Sequence, residues 1–274
     1  MKKCYVNFHF KQFYLLMIPK IIHYCWFGGK PLPEQLQHYI NGWKVKCPDW
    51  DIKLWNEDNF DINSHPFTKK AYEEKKYAFV SDYVRALALY KFGGVYLDTD
   101  VEVKHSIDEF LALEAFSSFE IDNIPFTSAV WGSMPEHSLT KRMLDYYNSK
   151  TYSNNEPPNT VTISNLLTQF YAIDPHKDEN QIGHDGSHKI HIFASSYFCL
   201  DLPPNYTTHH FIGSWLDKEK TESYKARVHT EYYKNKVLNV ETATNKLFLK
   251  DLATKLDLKS LINLIRYYIR YKFK

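Results

Sequence analysis

The feature that most constrains this chain is the run at residues 93–100, in which two glycines, a short apolar segment and two carboxylates follow one another. Glycine suits the left-handed position that ends a helix, so the run predicts a helix end followed by a strand. Because side chains alternate faces along a strand, Tyr96, Asp98 and Asp100 are expected on one face. Two such carboxylates repel each other unless a cation lies between them, and oxygen ligands suit Mg²⁺ or Mn²⁺. The run therefore predicts either a metal site or an acidic strand end that faces solvent.

Residues 77–92 show the apolar spacing of a helix that ends at the glycine pair. Ser81, Asp82 and Arg85 lie within about one turn of each other, opposite the main apolar stripe. The chain has 29 lysines and only five arginines, so an arginine here favours a site that needs its planar fork of donors. Two interpretations stay open: an Asp82–Arg85 pair that only stabilises the helix, or polar residues that face a metal-bound ligand. The apolar stripe consists of Val80, Tyr83, Val84, Leu87 and Tyr90.

Composition excludes several classes of protein. The formal net charge of +2 argues against a nucleic-acid binder, whose surface would be strongly basic. Four scattered cysteines without a C-x-x-C pair predict free thiols in a reducing compartment rather than disulfides or a zinc site. No apolar run reaches the roughly 18–20 residues that span a bilayer, and the first residues show no clear signal-cleavage site. A cytoplasmic protein, with a peripheral position on the inner membrane face as a variant, is therefore expected.

Strand and helix patterns alternate as far as the acidic run, which predicts an α/β domain with its ligands at the carboxyl ends of strands. Three histidines at residues 184–191 suggest zinc at first sight, but their turn residues and alternation favour a hairpin. The expected elements are strands at 18–26, 50–55, 115–120 and 126–132, a strand pair around 189–212, and helices at 33–46, 66–76, 77–92, 136–149 and 160–172.

Three parts of the chain are predicted: an N-terminal extension at residues 1–17, a main domain at 18–230 and a basic helical tail at 231–274. In the tail, residues 260–274 contain no acidic residue and place a basic stripe opposite an apolar one. That composition is typical of a helix at an anionic membrane surface. A helix that packs on the domain with a solvated basic face is the alternative.

Four motifs together resemble the D-x-D glycosyltransferases of family 32. They are W-x-G-G at residues 26–29, S-D-x-x-R at 81–85, G-G-V-Y-L-D-x-D at 93–100 and H-H-x-x-G-S-W at 209–215. The family includes bacterial capsular-polysaccharide and O-antigen transferases, fungal mannosyltransferases and, more distantly, the large clostridial glucosylating toxins. The resemblance covers roughly residues 18–215. It implies a GT-A fold (a Rossmann-like mixed α/β sheet flanked by helices), a nucleotide-sugar donor, a divalent metal and retention at the anomeric carbon.

The resemblance also implies roles for single residues. Mn²⁺ or Mg²⁺ would be held by Asp98, Asp100 and His210; the H-x-x-G spacing favours His210, and the adjacent His209 stays open. Asp82, Arg85 and Asp98 form the expected catalytic set, with Arg85 binding sugar and phosphate oxygens as a fork. Donor-binding residues are expected at Trp26, which would stack on the nucleotide base, and at Ser81, Arg85, Tyr96, Asp98, Ser214 and Trp215.

The expected function is metal-dependent, retaining transfer of a hexose from a nucleotide sugar, in the first instance a UDP-sugar, to a growing bacterial surface glycan. The expected partners are this donor and a glycan or lipid-linked glycan acceptor, with an anionic membrane surface as a further candidate through residues 260–274 and no nucleic acid. Two alternatives stay open. One is a non-catalytic module that binds nucleotide sugars or glycans, and the other is a toxin-like enzyme that glycosylates protein.

Overall fold

The structure is a computed structural model that describes residues 18–120, 124–202, 204–213, 246–255 and 257–272. The chain divides into two units, Met1–Lys225 and Ala226–Lys274. The extension predicted at residues 1–17 and the first part of the predicted tail, residues 231–245, lie outside the described residues.

Within its described residues, the first unit contains nine strands in two sheets. The strands are β1 (Ile21–Cys25), β2 (Asp51–Trp55), β3 (Gly94–Leu97), β4 (Val101–Val103), β5 (Ala115–Ser118), β6 (Val130–Ser133), β7 (Gln181–His184), β8 (Lys189–Phe193) and β9 (Thr207–His209). The larger sheet has the order β2-β1-β3-β6-β5-β8-β7 and is mixed, because β1 is parallel to β2 and β3 whereas β6 is antiparallel to β3. Strands β4 and β9 form a separate antiparallel pair.

Six α-helices and two short 3-10 helices, Ile62–Ser64 and Asp108–Ala112, accompany these strands in the described part of the first unit. The α-helices are α1 (Glu34–Lys46), α2 (Pro66–Glu73), α3 (Tyr77–Phe92), α4 (Ser138–Tyr147), α5 (Asn159–Tyr171) and α6 (Ser195–Phe198). Helix α3 is capped by Gly93, whose φ of 64° lies in the positive range that glycine adopts without strain. A side chain there would also lie 2.7 Å from Pro135 Cδ, so packing and backbone both require glycine at this position.

The core lies on both faces of the larger sheet. Strand β3 is buried along its whole length, and its side chains alternate between two clusters: Val95 and Leu97 pack with Trp43, and Tyr96 packs with Val84. The predicted Rossmann-like mixed sheet flanked by helices is therefore confirmed.

Helix α3 packs between the sheet and α4, so its polar side is enclosed as well: Asp82 and Arg85 are buried, and Tyr83 and Leu87 of the predicted stripe are half-buried. One prediction about the fold needs correction. The predicted strand pair at 189–212 is wrong, because β8 pairs with β5 and β7 and β9 pairs with β4.

Two further predictions hold. The histidine-containing segment forms the hairpin of β7 and β8. Cys25, Cys47 and Cys199, the cysteines in the described residues, are buried and form no disulfide.

The second unit contributes two helices among its described residues, α7 (Lys246–Lys255) and α8 (Leu258–Lys272). Their presence agrees with the helical pattern predicted for the C-terminal tail. No helix in the described ranges combines the length and the apolar character that crossing a membrane requires.

Candidate active site

The two aspartates of the acidic run lie just beyond the carboxyl end of β3. The strand ends at Leu97, and a turn follows in which the Val101 N–H donates to the Asp98 carbonyl at 3.0 Å. The expectation that Tyr96, Asp98 and Asp100 share a strand face is therefore wrong for the aspartates. The Tyr96 hydroxyl still donates to Asp98 Oδ1 at 2.9 Å. The turn occupies the edge of an α/β sheet where ligands bind.

Asp98, Asp100 and His209 converge at this turn. One possible ligand atom from each residue lies within 4.8 Å of the others. The pairing of β9 with β4 sets His209 opposite Val101, and His209 Nε2 lies 3.5 Å from Asp100 Oδ1. The buried Nδ1 of His209 has no hydrogen-bond partner among the described residues. Two carboxylates and an imidazole are a ligand set that suits Mn²⁺, so the residues present fit a divalent metal.

His210, the ligand expected from the H-x-x-G spacing, faces a different direction. Its Nε2 lies 3.0 Å from Glu102 Oε2, and its ring stacks on Tyr39 with 4.6 Å between the ring centroids. Neighbouring residues of an extended segment point to opposite sides, so only one of the two histidines can face Asp100. The structure therefore places His209, and not His210, beside the carboxylates.

The electrostatics of this cluster favour a cation. Burial alone lowers the pKa of His209, but the carboxylates of Asp100, Glu120 and Asp98 outweigh it and raise this pKa to about 9. Burial also opposes ionisation of Asp100, yet His209 and the Ile212 amide keep the pKa of Asp100 below its usual value. The Ile212 N–H donates to Asp100 Oδ2 at 2.8 Å. A metal ion would displace the His209 proton, so metal binding and proton release are linked.

Arg85 connects helix α3 to the acidic turn. Its Nη2 lies 3.2 Å from Asp82 Oδ1 and 3.3 Å from Asp98 Oδ1, and its Nη1 donates to the Ser128 carbonyl at 2.8 Å. The guanidinium also lies over the Tyr96 ring, 4.3 Å from its centroid. The Asp82–Arg85 pair of the first interpretation is therefore present, and the same arginine reaches Asp98 as the second interpretation requires. Direct binding of the donor by Arg85 stays a proposal.

Asp82 is a buried carboxylate. Burial raises its pKa to about 6, although Arg85 opposes this shift. Asn159, the first residue of α5, lies close enough to help lower the pKa of Asp82, yet its amide makes no hydrogen bond of normal geometry within the described structure. A buried amide without a partner is unfavourable, so Asn159 is a candidate for binding a polar ligand. No sequence motif marks Asn159 as a site residue; the signal available was the helix start after Pro158.

Asp82→Asn is expected to lower turnover without lowering the stability of the metal-free protein. The pKa of Asp82 lies above 3.8 in the folded state, so its contribution to stability falls as pH rises from about 4 to 6. At pH 7 the ionised carboxylate opposes folding by on the order of 3 kcal/mol, and asparagine removes that charge at constant shape. Melting curves in EDTA should show a midpoint no lower than that of the wild type at pH 7 and no gain at pH 4. A lower midpoint at pH 7 would contradict the assignment.

The remaining predicted donor-binding residues have different positions. Trp26 follows β1, the parallel neighbour of β3, so it lies at the same edge of the sheet as Asp98. Trp26 is half-buried, and its Nε1 donates to the Lys30 carbonyl at 2.6 Å. The Ser81 hydroxyl donates to the Tyr77 carbonyl at 3.1 Å within α3. The last two predicted positions, Ser214 and Trp215, lie outside the described residues.

Residues 33–117 match the family described as "Glycosyltransferase sugar-binding region containing DXD motif". This segment contains Asp82, Arg85, Asp98 and Asp100, the four polar residues that meet at the end of β3. Residues 33–117 are thus similar to the sugar-binding region of DXD-type glycosyltransferases. The expected class of enzyme, a glycosyltransferase, is thereby confirmed, and the names of its relatives agree with it.

Relatives of this chain occur in a giant virus and in fungi. The uncharacterized glycosyltransferase L373 of Acanthamoeba polyphaga mimivirus is 28% identical over 218 residues, which cover 73% of this chain and 84% of that protein. The mannosyl phosphorylinositol ceramide synthase SUR1 of Saccharomyces cerevisiae is 31% identical over 136 residues, 47% of this chain and 34% of the enzyme. Inositol phosphoceramide mannosyltransferase 3 of Schizosaccharomyces pombe is 33% identical over 107 residues, 36% of this chain and 29% of the enzyme. The chain thus spans about a third of these fungal relatives.

Two solved glycosyltransferase structures superpose on part of this chain. The PaToxG glycosyltransferase superposes with a TM-score of 0.45 at 17% identity and covers 61% of this chain and 77% of that chain. A glycosyltransferase involved in the glycosylation of the major capsid of PBCV-1 superposes with a TM-score of 0.43 at 12% identity, covering 76% and 99%.

Proposed function

We propose that this protein transfers a hexose from a nucleotide-sugar donor in a metal-dependent reaction that retains the configuration at the anomeric carbon. The observation that carries the proposal is the convergence of Asp98, Asp100 and His209 beyond β3, beside the buried pair of Asp82 and Arg85. Such a site combines carboxylate and imidazole ligands, which suit a metal, with polar groups that can bind sugar hydroxyls. The retaining outcome comes from the family resemblance.

Asp98, Asp100 and His209 would hold the metal, which as Mn²⁺ or Mg²⁺ neutralises charge on the leaving diphosphate and orients it. Arg85 and the Tyr96 hydroxyl both contact Asp98 Oδ1. These contacts fix the carboxylate in one orientation, so the protein does not have to reorganise when the donor binds. Front-face attack, in which the leaving phosphate takes the acceptor proton, needs no covalent nucleophile from the chain.

Several side chains are proposed to bind the donor itself. Asp82 can accept hydrogen bonds from sugar hydroxyls, and the buried Asn159 amide beside it offers both a donor and an acceptor. Trp26 offers a flat ring on which a nucleotide base can stack. Ser81, Ser214 and Trp215 are proposed as further donor contacts on the basis of the resemblance.

A UDP-linked hexose and a growing bacterial surface glycan are our first candidates for donor and acceptor. The names of the fungal relatives specify mannose and inositol phosphoceramide acceptors. They favour a mannosyl donor and a lipid acceptor as the second candidate. A lipid acceptor, or a glycan that grows on a lipid carrier, is held at a membrane. We therefore propose that the enzyme works at a peripheral position on the cytoplasmic face of that membrane.

A donor panel tests this function directly. The full chain is incubated with Mn²⁺ and, in turn, UDP-glucose, UDP-galactose, UDP-N-acetylglucosamine and GDP-mannose, and release of nucleoside diphosphate is measured. We expect metal-dependent release from one donor and, when an acceptor glycan is also supplied, a glycosidic linkage whose anomeric configuration, read by NMR, equals the donor's. Metal-dependent affinity for a donor without any release would instead indicate a non-catalytic binding module. Transfer to protein acceptors alone would favour the toxin-like alternative.

A further inference from the structure

Helix α8 exposes a stripe of large apolar side chains. At about 100° per residue, the five members of the stripe fall within one arc of about 100°. Exposed apolar side chains are ordinary when scattered, but a continuous patch indicates a surface that binds something. The stripe consists of Leu258, Leu261, Ile262, Ile265 and Ile269, which are 41% to 72% exposed.

A basic strip borders this apolar stripe. Lys259, Arg266 and Arg270 are exposed and fall on an adjoining arc of about 40°. The helix from Leu258 to Lys272 contains no acidic residue. Because acidic and basic residues are almost balanced over the whole chain, 32 against 34, this excess of positive charge is a local property of α8.

We propose that α8 docks this protein on an anionic phospholipid surface. The apolar stripe would enter the boundary between headgroups and acyl chains, and the adjoining arginines would reach lipid phosphates while their stems cover apolar surface. Fifteen helical residues extend only about 22 Å, which is less than the roughly 30 Å hydrocarbon core, so the helix lies in the plane of the surface.

The charge of α8 favours an anionic lipid surface over a second copy of the chain as the partner of this helix. Two copies that met through the same stripe would bring their basic strips together, and α8 offers no acidic residue to pair with them. An anionic bilayer supplies the missing negative charge along the whole helix. The docking surface goes beyond glycosyl transfer, and its binding can be measured without any sugar donor.

Sedimentation of the full chain with vesicles tests the proposal. One set contains phosphatidylglycerol and phosphatidylcholine, and the other contains phosphatidylcholine alone. At low salt we expect partitioning onto the anionic vesicles to be at least tenfold stronger, and to fall when salt is raised. Each cationic side chain near such a surface contributes about fivefold, so Arg266→Glu/Arg270→Glu should lower partitioning at least thirtyfold. Ile265→Glu/Ile269→Glu should lower it at least tenfold.

Matched variants elsewhere on the surface provide the controls. Val45 on α1 is 75% exposed, and Lys44 and Lys46 beside it are exposed as well. Val45→Glu controls for loss of an exposed aliphatic side chain, and Lys44→Glu/Lys46→Glu controls for a general change of net charge. Both should bind anionic vesicles within about twofold of the wild type.

Three outcomes would overturn the proposal: equal binding to neutral and anionic vesicles, α8 variants that bind like the wild type, and a dimer in solution that Ile265→Glu/Ile269→Glu converts to a monomer. Melting temperature and release of nucleoside diphosphate in solution report whether each variant is folded. Should a charge reversal unfold the chain, Arg266→Gln/Arg270→Gln removes the same charges more mildly and must still weaken binding. Loss of vesicle binding with retained donor hydrolysis supports a docking surface separate from the active site.

Discussion

Asp100→Asn is expected to lower the rate of donor turnover at least 10²-fold and to leave the fold intact. Asparagine can still accept the Ile212 N–H, but it brings no negative charge to the cluster of Asp98 and His209. Removal of one group that stabilises charge in a transition state costs on the order of 3 kcal/mol. Initial rates at saturating Mn²⁺ measure the loss. In the wild type, EDTA should abolish release of nucleoside diphosphate and Mn²⁺ should restore it.

The two adjacent histidines provide a matched pair for the same experiment. His209→Asn removes the imidazole that faces Asp100 and should cost about as much as Asp100→Asn. His210→Asn removes an imidazole that faces Glu102 and Tyr39 and should change the rate by less than about threefold. Full activity in EDTA would contradict the metal site. A larger loss in the His210 variant than in the His209 variant would indicate that His210 is the metal ligand, as the H-x-x-G spacing predicts.

The elements that the sequence predicts well are those determined by local interactions. Helix α3 occupies the predicted residues 77–92 because apolar spacing and a glycine cap both act within a few residues. Strand β2 likewise follows its own alternation between Trp50 and Trp55. The sequence also predicts that the acidic run comes directly after a strand, because glycine and apolar residues precede it.

The choice between His209 and His210 could not be made from local spacing. It depends on the register in which β9 pairs with β4, which sets His209 opposite Val101 although the two strands are far apart in the chain. A shift of one residue would exchange the two imidazoles, because side chains alternate faces along a strand. The spacing H-x-x-G identifies the segment, and only the pairing identifies the residue.

How deeply the polar residues of the site are buried could not be predicted from the sequence either. The helix pattern correctly sets Asp82 and Arg85 together, but their enclosure results from the packing of α3 between the sheet and α4. Asn159 joins Asp82 from α5, a helix whose start carries no D-x-D-like motif. Site residues that belong to recognisable motifs can thus be identified from the sequence, whereas a residue such as Asn159, which only tertiary packing adds, cannot.

Arg85→Lys is expected to lower turnover at least 10²-fold and also to lower the melting temperature. The guanidinium contacts Asp82, Asp98 and the Ser128 carbonyl at once through two nitrogens. A lysine ammonium is a point charge on a flexible stem and cannot reproduce this fork. Loss of the fork would release Asp98 from its fixed orientation and leave Asp82 partly uncompensated. Initial rates and thermal unfolding, measured on the same preparation, separate the two effects.

Two further variants distinguish catalysis from stability. Arg142 pairs with Asp185 at 3.1 Å through the same kind of guanidinium contact, on α4 and outside the candidate site. Arg142→Lys should therefore keep turnover near the wild-type level. Arg85→Ala leaves the buried Asp82 and the half-buried Asp98 without their cation and should cost on the order of 3–5 kcal/mol of unfolding free energy. If Arg85→Lys were fully active and only less stable, Arg85 would hold α3 in place without contributing to transfer, and Asp98 would be oriented by Tyr96 alone.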